Sequence, residues 1–222
     1  MGTFRDQTLV LTRNNQGEYD VRYTLFCKKH GKVIAVAKSA RKIKSKLAGS
    51  LEPPVMVDLL LAPGKYYHHL AGAESLENFK NIRQNLLALS LTNYLLQLTE
   101  IILPLEQPEG EIYHILSKVL GGLNNFSQHE FNKKIVLAAT VWYKVNLLNL
   151  LGTAAQANQE DIDESSRDFF KKLSQTSGFE VLLNNKISIK ALQNKHQLLD
   201  ELVLYEFSRQ IPSRKFIQSM FE

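Results

Sequence analysis

The chain has 222 residues, 44% hydrophobic and 22% charged, a composition that belongs to a folded globular protein and excludes a disordered tail or a fibrous repeat. The formal net charge is +5 and its excess is local: residues 1–80 carry 13 Lys and Arg against 7 Asp and Glu, while the remainder is nearly balanced. No run of about 18 apolar residues occurs, no signal-peptide form follows Met1, and Asp6 stands where a myristoylation motif needs Ser or Thr, so the expectation is a cytoplasmic protein with no membrane anchor.

Residues 9–11 form a short apolar run, which the turn-formers Asn14, Asn15, Gln16 and Gly17 separate from a period-two alternation over residues 19–28. There Tyr19, Val21, Tyr23, Leu25 and Cys27 share one face and Asp20, Arg22, Thr24, Phe26 and Lys28 the other, the pattern of a half-buried strand. Lys29, His30 and Gly31 lead into a third strand over 33–37, and two more runs, 55–61 and 66–71, flank Ala62, Pro63, Gly64 and Lys65. Five short strands with one long connection, 39–54, predict a small closed barrel of the OB type, with an SH3-like barrel as the alternative.

After residue 74 the period becomes helical. Helices are predicted over 75–103, ending before Pro104; over 111–120, stopping at Gly121 and Gly122; and through Ile135, Leu137, Trp142, Val145, Leu148 and Leu151 to Gly152. Asp161, Ile162, Asp163 and Glu164 have the form of a capped helix start, and Ser188 caps a long helix through Leu192, Leu199, Val203 and Phe207, with a last turn or two after Pro212 and Ser213. The predicted class is α+β. Residues 1–76 are expected to form the OB-type barrel and residues 77–222 an all-helical domain packed directly on it.

From residue 28 to residue 46 the chain carries Lys28, Lys29, Lys32, Lys38, Arg41, Lys42, Lys44 and Lys46 and no acidic residue. A surface that needs only solubility mixes both signs, whereas a one-sign block is sustained by a polyanion that neutralises it. Together with Arg13 these residues are the candidate DNA contacts, holding phosphates with little sequence preference. Six such contacts imply a log–log salt slope of about −4 to −5. Tyr23, Phe26, Tyr66 and Tyr67 lie on or beside the strands, and Tyr23 or Phe26 is the candidate base-stacker, the alternation assigning one of the two to the core.

The remaining signals read as structural. Cys27 is the only cysteine, which rules out an internal disulfide or a cysteine zinc site and reads as a small buried hydrophobe. His68 and His69 point to opposite faces of a strand, and Asp161 and Asp163 sit where capping explains them. The sequon Asn125-Phe126-Ser127 has no meaning without secretion. No phosphate-binding Gly-rich loop, nucleophile elbow or zinc-protease motif occurs, so no enzymatic activity, cofactor or metal is expected.

The run His30-Gly31-Lys32, then Ala37-Lys38-Ser39-Ala40-Arg41-Lys42 and Lys44-Ser45-Lys46-Leu47, closing with Gly49-Ser50-Leu51-Glu52-Pro53, resembles the N-terminal signature of the RecO family of bacterial recombination mediators. Leu103-Pro104, the segment Leu147-Leu148-Asn149-Leu150-Leu151-Gly152 and the closing Ser213-Arg214-Lys215-Phe216 are similar to that family in the same order. The resemblance implies an OB-fold DNA-binding domain over residues 1–76, followed by a helical domain over residues 77–222 for partner docking and additional DNA contacts. It further implies binding of single- and double-stranded DNA, annealing of complementary strands, recognition of the C-terminal tail of single-stranded DNA-binding protein, and work with RecR to help load RecA. Many members carry a four-cysteine zinc finger where residues 152–178 lie here; this chain has no cysteine there and resembles the zinc-free branch. A tail-binding pocket needs apolar surface with cations beside it, and Lys133, Lys134 and Lys144 on an apolar helix are the candidates, the alternative being that helix's solvated face. The competing function is a helical protein-interaction adaptor whose basic segment only steers association.

Overall fold

Strand periodicity becomes a closed barrel because the apolar face of each short strand has only the other strands to bury against. The structure is a computed structural model of the chain that describes residues 2–42, 51–127, 129–152, 163–184, 187–207 and 213. Five strands form the barrel: β1 (Phe4–Gln16), β2 (Asp20–Cys27), β3 (Gly31–Ala37), β4 (Met56–Ala62) and β5 (His68–Glu77). Their order is β1-β2-β3-β5-β4, closed by β1 pairing with β4, and all neighbours are antiparallel except β3 with β5. That topology is the OB-fold rather than an SH3-like barrel. Val10, Val21, Tyr23, Leu25, Cys27, Val33, Ala35, Val57, Leu59 and Leu61 fill the interior.

β1 serves two partners, its first half pairing with β4 and its second with β2, with a register shift between Val10 and Thr12 where it bends. Two glycines turn the chain in the left-handed region, Gly17 (φ +62) before β2 and Gly31 (φ +71) opening β3. They differ in surroundings. A Cβ on Gly31 would lie 1.9 Å from the Gln107 carbonyl oxygen, whereas one on Gly17 meets nothing within 4 Å. Gly17→Ala is therefore expected to cost about 1 kcal/mol of backbone strain, and Gly31→Ala several times that, because the Gln107 backbone must also move. Urea unfolding of the two variants side by side checks the contrast.

Among the described residues seven helices follow: α1 (Lys80–Arg83), α2 (Leu86–Ile102), α3 (Gly110–Asn124), α4 (Lys133–Leu150), α5 (Glu164–Ser174), α6 (Glu180–Asn184) and α7 (Ile189–Phe207). The chain divides into two compact units, one of residues 1–80 with 96–113 and the other of residues 81–95 with 114–222. In the second unit α4 is the central element, buried continuously from Ile135 to Leu148 and packed on α5, α6 and α7, as a helix apolar nearly all round must be. Asn132 caps it by accepting from the Lys134 and Ile135 N–H groups, and Gly152 (φ +75) follows its C-terminus.

Two helix boundaries differ from the sequence expectation, and one short helix was not expected. The helix expected to start at residue 75 starts at Leu86, because β5 continues along β4 as far as the pair Met56–Glu77; Asn85 then caps α2 through the Ala88 N–H. The helix expected to stop at Gly121 and Gly122 runs through both to Asn124. Gly122 is there for packing, since a Cβ on it would lie 2.8 Å from Phe179 and from Glu180. The short α6 was not anticipated; five residues are too few to show a period.

Candidate nucleic-acid interface

The basic block divides between the two ends of β3. At the β2–β3 turn, the buried carboxylate of Asp6 accepts the backbone N–H groups of Lys29 (2.9 Å) and His30 (3.2 Å) and contacts His30 Nδ1 (2.6 Å), while the Lys28 N–H donates to Gln7 O (2.9 Å). Phe4 stacks on His30 with ring centroids 4.1 Å apart. The turn is thus pinned from below, and Lys28 and Lys29 stand exposed on it. At the other end of β3, about 23 Å away at strand rise, Lys38, Arg41 and Lys42 are exposed on the connection toward β4. Lys38 donates to Asp20 (2.8 Å), Arg41 donates to the Glu18 carbonyl (3.0 Å), and Lys42 Nζ sits 5.1 Å from the centre of the Tyr19 ring. The Lys38 hydrogen bond, with the Ser39 N–H, holds the Asp20 carboxyl below its ordinary value.

Arg22 joins this second end. It is exposed on β2 and pairs in register with Val36, two residues before Lys38. Sequence reading left it out because it precedes the block and stands between Val21 and Tyr23 as an ordinary outward strand residue.

Two candidate cations face inward instead. Lys32 Nζ donates to the Glu100 carbonyl (2.7 Å) in the last turn of α2, where a cation complements both the unpaired carbonyls and the helix dipole. Arg13 Nε lies 3.3 Å from Glu52 and its side chain is mostly covered. Lys44 and Lys46 lie outside the described residues.

Residues 96–113 change which surface is available. The Thr12 hydroxyl donates to Thr24 (3.0 Å), whose hydroxyl donates to Glu100 Oε1 (2.9 Å); the Glu106 N–H donates to Lys32 O (2.8 Å); and Tyr113 packs edge-on against Phe26 at 5.3 Å. The middle of the outer face of β2 and β3, around Thr24, Phe26 and Lys32, where an OB-fold ordinarily lays a single strand, is therefore covered by the barrel's own unit, while Arg22 at its end stays exposed. This corrects the stacking assignment: Tyr23 is 2% exposed, inside the barrel, and Phe26 is 0% exposed, outside it but under Tyr113, so neither presents a ring face to a base. Tyr66 and Tyr67, by contrast, are exposed.

The tail-binding candidates separate as well. Lys133 is exposed, and Lys134 Nζ donates to Leu183 O (3.2 Å). Lys144 is wholly buried in an ion pair with Asp200, with His196 Nδ1 at 3.2 Å and the Tyr94 ring beneath its ammonium, so it meets no outside carboxylate. Burial alone would raise the Asp200 carboxyl, but the charges of Lys144 and His196 and the hydrogen bonds from Lys144 and the Tyr94 hydroxyl (2.9 Å) outweigh it and hold Asp200 below its ordinary value. A signal for this was present: Lys144 is the sole charged residue between residues 135 and 151.

Cys27 is buried in the barrel core, and burial pushes its thiol up to about 12, far from a thiolate nucleophile. His68 sits edge-on to Phe4 (5.4 Å) with Nε2 3.6 Å from Glu106, while His69 is exposed. Asp163 caps α5 through the Ser166 N–H (2.8 Å). Among the described residues no cluster of His, Cys, Asp or Glu could hold a metal ion, and no helix is long and apolar enough to cross a membrane.

Residues 1–79 match the family described as Recombination protein O N terminal. Among curated relatives, the chain is similar to the DNA repair protein RecO of Thermoanaerobacter sp., 27% identical over 92% of this chain and 80% of that one. It is also similar to the proteins of the same name from Bifidobacterium animalis subsp. lactis (34% identical over 56% of this chain) and Cyanothece sp. (32% over 71%). The matched stretch spans about half the length of these last two, 53% and 52%.

Proposed function

We propose that the chain is a member of the RecO family of DNA repair proteins, whose N-terminal model its residues 1–79 match, and that it is a recombination mediator acting by binding rather than catalysis. It holds single- and double-stranded DNA at the two cationic ends of the barrel and brings complementary strands together. The observation that carries this reading is the set of six exposed cations, Arg22, Lys28, Lys29, Lys38, Arg41 and Lys42, on an OB-fold whose strand face is occupied from within. A protein that grips phosphates from two ends leaves bases unengaged by groove contacts, so either strand of any sequence is held and a complementary partner can pair with it. Engagement of single-stranded DNA-binding protein through its C-terminal tail, cooperation with RecR and help in loading RecA in the bacterial cytoplasm follow as parts of the same proposal. They rest on family membership. Of the named tail contacts, Lys133 and Lys134 stay in it, as does the assignment of residues 1–76 to DNA and 77–222 mainly to partners.

The test is annealing of complementary single strands, followed by fluorescence, with purified full-length chain at low salt and no nucleotide. Annealing well above the spontaneous rate is expected, and it should persist when the strands are first coated with single-stranded DNA-binding protein. A rate equal to the spontaneous one with bare strands contradicts the proposal.

A further inference from the structure

We propose that two tyrosine–lysine pairs on the barrel's loops, Tyr19 with Lys42 and Tyr66 with Lys65, hold unpaired bases and let the chain distinguish single-stranded from duplex DNA. This rests on the DNA-binding reading above and supplies what that reading lacks, a contact to bases once Tyr23 and Phe26 are known to be buried.

Single exposed aromatics are ordinary on protein surfaces. What sets these apart is where they fall. Among the described residues the exposed large aromatic side chains are Tyr66 (79%), Tyr19 (44%) and Tyr67 (38%), and all three lie on two connections of one barrel. Tyr19 is on the β1–β2 connection, and Tyr66 and Tyr67 are on the β4–β5 connection. These are the two loops with which OB-folds contact oligonucleotides, and with the β2–β3 face covered by residues 96–113 they are the part of that surface left open.

Position joins each tyrosine to one basic end. The Arg41 N–H donates to Tyr19 O (3.0 Å), which fixes Tyr19 beside Arg41 and Lys42 at the Ala37 end of β3. β5 runs parallel to β3 from the pair Ala35–His68, so the loop before His68 leaves on the Gly31 side, toward the Lys28–Lys29 turn. That loop curls tightly: a Cβ on Gly64 would lie 2.2 Å from the Tyr67 carbonyl oxygen, and the tight curl sets Tyr66 outermost.

In both pairs an ammonium rests against the ring, Lys42 Nζ at 5.1 Å and Lys65 Nζ at 5.3 Å from the centroid. A nucleotide offers each partner something better. The base takes the ring face, and the amine moves from the ring to the adjacent phosphate. Duplex DNA supplies the phosphate but not the base, whose faces are already stacked. The lysines therefore serve both forms of DNA and the tyrosines only one.

The experiment compares full-length wild type with Tyr19→Ala, Tyr66→Ala, the double variant and Tyr66→Phe. Each is titrated by fluorescence anisotropy against an oligothymidine and against a duplex of matched length, at one salt concentration and then over a salt series. Each alanine is expected to weaken single-strand binding about 10-fold, on the scale of base–aromatic stacking, and the pair about 100-fold, while duplex affinity stays within about twofold and the salt slope is unchanged. Tyr66→Phe keeps the ring and should bind like wild type. Equal loss on both DNAs, or no loss on the oligothymidine, overturns the inference while leaving DNA binding intact. A wild type that binds neither DNA overturns the functional reading and the inference with it.

Discussion

Replacing Lys144 with alanine is expected to cost the protein about 3–5 kcal/mol of folding stability, the penalty for leaving a buried carboxylate without its cation. Asp200 is 2% exposed, and its remaining neighbours, the Tyr94 hydroxyl and His196, do not match a full ammonium charge. The double variant Lys144→Met with Asp200→Leu should recover most of the loss, because removing both charges abolishes the desolvation that the pair had to offset; what stays lost is the acceptor of the Tyr94 hydroxyl. The pH dependence has a definite sign. Asp200 has a depressed folded-state value, so its contribution is complete above the ordinary carboxylate range near pH 4 and disappears as pH falls through that depressed value. Wild type should therefore lose stability more steeply below about pH 4 than the double variant, as read by urea midpoints across an acid series. Single-strand binding by Lys144→Ala at a temperature where it remains folded should be unchanged.

The second large effect is on DNA. Substituting Lys28, Lys29, Lys38, Arg41 and Lys42 with glutamine removes five exposed cations at once, and on the counterion-release rule affinity should fall roughly 10³-fold near physiological salt. Fold stability should hardly move. The contacts these side chains make, including the exposed Lys38–Asp20 pair, are surface interactions worth up to about 1 kcal/mol each. Removing Lys28 and Lys29 alone, or Lys38, Arg41 and Lys42 alone, should each give an intermediate loss, because the ends are separate along β3. The same five-fold variant distinguishes the adaptor reading, under which equilibrium binding of a protein partner is kept and DNA binding was never the function.

What was readable in the sequence follows from what makes its own periodic signal. The alternation of Val21, Tyr23, Leu25 and Cys27 announces a barrel wall, and the one-sign block from Lys28 onward announces the exposed cations at the two ends of β3, since each is a local pattern. What was not readable depends on residues far away in the chain. Phe26 lies on the face opposite Tyr23 and should have been outside; it is outside the barrel, but Tyr113, 87 positions on, covers it. Lys32 belongs to the basic run yet ends on the carbonyl of Glu100, and Lys144 looks like a flanking lysine until Asp200 is placed beside it. The continuation of β5 to Glu77 is likewise decided by its partner β4 and not by its own residues, Ser75, Leu76 and Glu77, which have no strand preference to show.

The central claim, that this chain grips nucleic acid phosphates through the exposed cations of its barrel, is tested most directly by the salt dependence of its affinity for DNA. Six contacts predict that log Kobs against log salt is linear with a slope of about −4 for a single strand and about −5 for duplex, the same for unrelated sequences. A slope near zero, or affinity that follows sequence and ignores salt, would contradict it.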